Sequence, residues 1–300
     1  MLRHALITLA SVFSLVLPAW GSGVALVLSD QGGSYAEYAK AFEDALNGTS
    51  WNITGRYQAS TLPQSTGQAE LIVTVGSEAL RKTLSRGDNP PIIATLLPRH
   101  SYEKILGEFR RHGRITAIYL DQPPSRQAAF INHLLPGQKR IGMLFGAETK
   151  NLSGQYRQAF SNTGLVLDSE DADPDINLLP ALNALLGRIN ILLAIPDSTI
   201  YSRANIKPIL ITAFRHQRPV IGYSPAFVNA GALAALHSTP IQIARQTADM
   251  ITTHGINLPG PAAPSQFAIA INNNVAQSLG LGIPDEASIR RAMTGEREAR

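Results

Sequence analysis

Apolar runs of six to eight residues recur along the chain, and each closes on Gly, Ser, Asp or Pro. They are Val24–Ser29, Leu71–Gly76, Pro91–Pro98, Ile115–Asp121, Arg140–Gly146, Asn190–Asp197 and Pro219–Pro225. Between them lie stretches with apolar residues at helical spacing, such as Tyr35, Tyr38, Ala39, Phe42 and Leu46. Short apolar runs alternating with amphipathic helices predict parallel strands covered by helices on both faces. Ligands of such sheets gather at the carboxyl ends of the strands, where the polar and turn residues of this pattern fall.

Local signals refine the picture. Ser34 followed three residues later by Glu37 predicts a capping box opening the first helix, and Asn47-Gly48 stops it. A weaker strand is read at Asn52–Tyr57, and Ser77 is positioned to cap the helix that follows Gly76. Gln122-Pro123-Pro124 is the strongest break in regular pattern and divides two βα series. The expected organisation is lobe one from residues 24–121 plus 234–284, lobe two from 122–233, and a fraying charged tail at 285–300. Two βα series, with a last segment able to return to the first, describe a hinged, two-lobed binding protein.

The first 21 residues read as a secretory leader. Arg3 and His4 precede the apolar Ala5–Leu17, and Pro18-Ala19-Trp20-Gly21 offers small residues for cleavage. The apolar core falls short of the roughly 20 residues that span a bilayer. The chain has no cysteine, so no disulfide, thiolate metal site or lipidated cysteine is expected, which fits the bacterial periplasm. The net charge of +4 is scattered and aromatic content is 6%, a poor footprint for nucleic-acid binding.

The second half resembles the ABC-transporter substrate-binding family whose characterised members bind aromatic amino acids. The resemblance rests on Leu135-Pro136-Gly137-Gln138-Lys139-Arg140-Ile141-Gly142, Ala194-Ile195-Pro196-Asp197-Ser198-Thr199, Val228-Asn229-Ala230-Gly231-Ala232-Leu233 and Ile271-Asn272-Asn273 through Leu279-Gly280-Leu281-Gly282-Ile283-Pro284. Val75-Gly76-Ser77-Glu78 resembles the family's strand-to-turn step in the first half. The resemblance implies an α/β, two-lobed fold of the type I periplasmic-binding kind, each lobe a mostly parallel sheet flanked by helices. It also implies a periplasmic monomer working with an ABC permease of the inner membrane. Where the family usually has Asp-Pro, this chain has Pro98-Arg99-His100-Ser101. A sensor or regulatory partner of the same fold, without transport, is therefore the alternative.

The candidate ligand contacts lie at strand ends. Ser29, Asp30, Gln31 and the nearby Tyr35 follow the first strand, and Gly76-Ser77 the third; free N–H groups at the helix starts there can hold an anion. Arg99 and His100 offer cations, and Arg grips carboxylate with a two-pronged fork. Asp121 and Gly146 end two further strands. On the other lobe Asp197, Ser198 and Tyr201 offer an ammonium acceptor and a ring, and Ser224 and Phe227 a hydroxyl and a ring. Each has an ordinary reading too: cap, turn, solvated cation or core ring. Together they point to a small amino-acid-like or carboxylate ligand.

Signals for catalysis are incomplete. Gly222-Tyr223-Ser224-Pro225-Ala226 approaches a nucleophile elbow, but Pro225 has no N–H for an oxyanion hole. Ser101-Tyr102-Glu103-Lys104 lacks the companion motifs of Ser-x-x-Lys enzymes. No His spacing suits a metal, and no phosphate-binding Gly-x-x-x-x-Gly-Lys occurs. No catalytic residue, metal or cofactor is expected.

Overall fold

The computed structural model describes residues 22–110 and 113–298. The leader expected at 1–21 lies outside them.

The first sheet contains β1 (Ser22–Leu28), β2 (Trp51–Gln58), β3 (Leu71–Val75), β4 (Ile92–Leu97) and β5 (Ile115–Tyr119), in the order β2-β1-β3-β4-β5 and parallel throughout. The apolar runs are continuous because both faces are buried. In β1, Val24, Leu26 and Leu28 enter one core and Ala25 and Val27 the other, as the two-residue period of a strand requires. Helices α1 (Gly33–Leu46), α2 (Ser77–Leu84) and α3 (Arg99–Glu108) follow β1, β3 and β4.

The chain then crosses to a second sheet. Helix α4 (Pro124–Leu134) starts at the double proline. It is followed by β6 (Arg140–Phe145), α5 (Ser153–Ser161), β7 (Val166–Asp171), α6 (Leu178–Leu186), β8 (Ile191–Leu193), α7 (Arg203–Arg215), β9 (Val220–Gly222), α8 (Pro225–Asn229) and β10 (Ala234–His237). The same alternation holds here. Ile141, Met143 and Phe145 of β6 enter one core while Leu144 enters the other. The chain next returns to lobe one as α9 (Pro240–His254), and goes back again to β11 (Ala268–Ile271), α10 (Asn273–Ser278) and α11 (Glu286–Glu298).

This path corrects the expected boundaries. Residues 234–284 do not all belong to lobe one, because the second sheet runs β11-β10-β9-β8-β6-β7. β10 pairs in parallel with β9, and β11 closes the edge antiparallel to β10. Between them only α9 and its flanks cross over, because the Ile243, Ala244, Ala248 and Ile251 stripe is buried in the lobe-one core with Tyr38 and Phe42. The Tyr38 hydroxyl donates to Thr247 Oγ1 at 2.9 Å, joining α1 to α9. The segment expected to fray after residue 285 is also structured: Ile289 and Met293, one helical turn apart, sit buried in the lobe-two core.

Two caps differ from expectation. α1 starts at Gly33, with Gly32 at the cap position and no side-chain cap, so Ser34 lies inside the helix and forms no capping box. A capping box forms instead at the start of α9, between Thr239 and Gln242. α2 is capped from a distance: Gly76 occupies the cap position, and the Ala79 N–H donates to Ser29 Oγ at 2.9 Å.

Lobe crossings occur before α4, before α9 and before β11, and they are laced together. Gln122 Nε2 donates to Ser238 Oγ at 2.7 Å, and that hydroxyl donates to the Gln266 carbonyl at 2.7 Å. One side chain from each of the first two crossings thus meets the backbone of the third. The last crossing also runs beside β5, with Tyr119 N–H donating to the Ala262 carbonyl at 3.0 Å.

Candidate functional site

The carboxyl ends of the two sheets face one another across a cleft of about 540 Å³. Lobe one contributes Tyr35, Leu96, Pro98 and Leu120; lobe two contributes Pro196, Tyr223, Ser224 and Pro225; His237, Ser238, Thr239 and Pro240 of the second crossing also line it. A hollow of comparable size, about 570 Å³, lies by α4, α5 and α11, with Asn132, Asn162 and Met293 in its lining. It belongs to one lobe and lies away from the strand ends, so the interlobe cleft is the candidate site.

Local irregularity shapes the walls. The β4–β5 register shifts between Thr95 and Leu97, and Leu96 adopts a left-handed φ of 51°, a conformation costly for a non-glycine residue. Gly76 turns at φ 91°, where a Cβ would lie 2.6 Å from Ser29 Oγ and 2.9 Å from the Tyr35 ring. A side chain there would displace both the α2 cap and the cleft tyrosine.

On the opposite wall Tyr223 is held from behind. Its ring lies 5.1 Å from Phe227 and 6.2 Å from Tyr201. Burial, then the Asp197 charge, pushes the Tyr223 phenol up to about 12. Burial and Asp30 raise Tyr35 as well. Both phenols therefore remain hydrogen-bond donors at neutral pH. Burial holds the His237 imidazole below its usual range, against the opposing pull of the Ala235 backbone and the Glu286 charge.

Of the residues expected to contact ligand, the cleft brings together Tyr35 and Ser224. Ser29, Gly76 and Ser77 shape the start of α2, and Asp30 accepts from the Gly32 N–H at an exposed turn with Gln31. Tyr201 and Phe227 are 4% and 2% exposed, so they form the layer behind Tyr223. Asp197, 1% exposed, accepts from the Thr149 hydroxyl at 2.7 Å and from the Thr199 and Ile200 N–H groups at 3.0 and 3.1 Å. Its place is inside the turn after β8, a correction to its reading as an ammonium acceptor. Gly146 packs against this turn, where a Cβ would lie 2.7 Å from the Asp197 carboxylate.

Arg99 does not reach into the cleft as a carboxylate fork. Its guanidinium pairs with Glu103 at 2.7 Å, one helical turn along. Its N–H donates to Asp121 at 2.6 Å, so Asp121 caps α3. Burial raises the Asp121 pKa, opposed by the Arg99 N–H and the neighbouring cations. Arg99 and Asp121 line a separate cavity of about 280 Å³ beside the first crossing, with Gln122, Gln155 and Tyr156.

His100 and Ser198 meet through Glu148, which the sequence reading missed. His100 Nε2 approaches Glu148 at 3.1 Å, while the Ser198 N–H donates to the same carboxylate at 2.7 Å. His100 belongs to lobe one and the other two to lobe two, so this contact spans the lobes at the cleft. The reading also missed Leu96, Leu120, Pro196, Tyr223 and His237. A usable signal existed for Tyr223 and His237, since each stands at the end of an apolar run.

Among the described residues no group of three or more His, Asp or Glu side chains is placed to hold a metal ion, and no helix is long and apolar enough to cross a membrane. Two α/β lobes, three crossings and a partly apolar cleft between strand ends define a two-lobed solute-binding protein of the type I periplasmic-binding kind. The family model for ABC transporter substrate-binding proteins matches residues 59–294. The chain belongs to that family, one of solute-binding proteins rather than enzymes.

Solved structures agree on the fold. A conserved domain protein from Vibrio cholerae is similar at 20% identity over 91% of this chain and 98% of its own, with a TM-score of 0.61. An ABC domain in complex with L-Trp from Streptococcus pneumoniae is similar at 17% identity over 91% and 98%, with a TM-score of 0.60. The ligand-free, open structure of a substrate-binding protein with adhesive properties from Clostridium difficile is similar at 16% identity over 88% and 96%, with a TM-score of 0.66. No curated protein matches the sequence.

Proposed function

We propose that this chain is the periplasmic, monomeric receptor of an ABC importer, exported by its leader, which captures a small molecule in the interlobe cleft and presents the closed form to a permease. The observation that carries the reading is the cleft itself, bounded by strand ends of two sheets and backed by crossings that meet at Ser238. A ligand touching both walls binds the closed form more tightly than the open one, and closure follows from that difference.

Small-angle scattering on the full chain tests it. A compound that raises the melting temperature should also reduce the radius of gyration. At a hundredfold excess over Kd the added stability is about 2.7 kcal/mol. Stabilisation with an unchanged radius counts against closure. Loss of uptake of that compound on deletion of the gene separates import from sensing, which would leave uptake intact.

A further inference from the structure

We propose that the outer face of α7 in lobe two is a membrane-contact surface, which rests Ile211, Phe214 and Leu179 on an anionic lipid headgroup layer and binds its phosphates through Arg203, Lys207 and Arg215. This surface is independent of the cleft and of what the cleft holds.

α7 is apolar on two sides. Ile209, Leu210 and Ala213 are buried in the lobe-two core with residues of α6 and α8. Ile211 and Phe214 lie outside that core and are 43% and 44% exposed. Leu179 of the neighbouring α6, also 44% exposed, extends the same surface. The two helices run side by side. His216 Nε2 lies 3.0 Å from Asn183 Oδ1, and Arg218 Nε donates to the Leu186 carbonyl at 3.2 Å. Leu179 is one turn before Asn183, and Thr212 one turn before His216, so Leu179 stands level with Ile211. Exposed apolar residues are ordinarily scattered, and a cluster rimmed by charge marks a contact surface.

The charge selects the partner. α7 has no acidic residue, and Arg203, Lys207 and Arg215 are its charged side chains. Arg203, Lys207, Ile211 and Arg215 recur every fourth residue, so they follow one ridge of the helix with Ile211 between cations. All three cations are exposed, and none forms an ion pair among the described residues. Elsewhere in lobe two exposed bases do find acids: Lys150 pairs with Asp171, and Arg188 with Asp168 and Glu170. α6 carries no charge of its own. The exposed Asp173 and Asp175 precede it and are tied into their own turn with Asn177. Like charges oppose the pairing of two such faces from two copies of the chain. A headgroup layer, by contrast, is negative throughout and apolar just beneath, which suits a basic helix face with apolar tips. The methylene stems of Lys and Arg can lie along those tips while their heads reach phosphate.

Vesicle sedimentation tests the proposal, with the exported protein purified from periplasmic extract. The expected result is binding to mixed phosphatidylglycerol and phosphatidylcholine vesicles, none to phosphatidylcholine alone, and release in about half-molar salt. R203E/K207E and I211S/F214S should each weaken binding about tenfold or more, with circular dichroism and melting temperature matching the parent. K82E/K104E, an equal charge change on lobe one, should bind as the parent does. No binding to the mixed vesicles overturns the proposal, and polyglutamate bound in their place would assign the face to an acidic protein. Binding that neither α7 variant weakens overturns it too, as does an equal loss in K82E/K104E, which would make net charge the cause. A dimer of the protein alone that I211S/F214S dissociates would show that the face joins two copies, and the proposal falls. None of these results bears on solute capture in the cleft.

Discussion

Asp197 shows how a residue of the right chemistry can serve the wrong purpose for a ligand. Its carboxylate meets the Thr149 hydroxyl and the N–H groups of Thr199 and Ile200 inside one turn. Replacement by alanine leaves those donors buried without an acceptor, at a cost of about 3 kcal/mol. Urea denaturation of D197A should show that loss, and full retention of stability would reject the structural role. Asp121 gives a pH-dependent counterpart. Burial raises its folded pKa above the ordinary 3.8, so the folded state holds this proton more tightly than the unfolded state does. Its contribution to stability is therefore largest below about pH 3.8 and is lost as pH rises through the folded value. D121N keeps an acceptor for the Arg99 N–H and removes the buried charge. Its melting temperature should match or exceed the parent's at pH 7, with the gap shrinking towards pH 4; a gap independent of pH would contradict the burial argument.

Elements here are placed by the partners available to their apolar stripes. α9 carries Ile243, Ala244, Ala248 and Ile251 on one face and finds its complement on α1, which draws the chain back into lobe one. α11 looks like a charged tail in composition, yet Ile289 is 1% exposed and Met293 4%. I289A should destabilise the protein by about 3 kcal/mol, as for other large-to-small core changes. A fraying tail would show no measurable change in a denaturant titration, which distinguishes the two descriptions directly.

At the scale of the molecule, the closure proposed above would turn on two places. Ser238 ties Gln122 and the Gln266 carbonyl together where the crossings meet. Removing the hydroxyl leaves buried polar groups unpaired, so S238A should accelerate amide exchange along the crossing segments; an unchanged exchange pattern would place the hinge elsewhere. His100 and Glu148 form the contact that spans the lobes at the mouth. H100A should raise the radius of gyration of the ligand-free protein while leaving each lobe's secondary structure intact. An equal radius would show that this pair does not hold the lobes together.

The sheet strands and most helices of this protein are legible in the sequence because a strand buried on both faces is a continuous apolar run and a covering helix repeats every three to four residues. Pro123-Pro124 likewise announces the first crossing, since proline fixes φ and removes a donor. The same local patterns are silent on which lobe a later element joins. β10 and β11 read like any strands, and only their pairing puts them in the second sheet. Site residues were legible as strand-end chemistry but not as assignments. Whether Asp197, Arg99 or Tyr201 faces the cleft depends on Thr149, Glu103 and Phe227, which are 48, 4 and 26 residues away in sequence and are brought near by folding. Periodicity and turn chemistry thus determined the elements, whereas the tertiary structure alone decided which polar groups were already satisfied and which rings were left to face a ligand, because hydrogen-bond partners and burial are properties of three-dimensional neighbours.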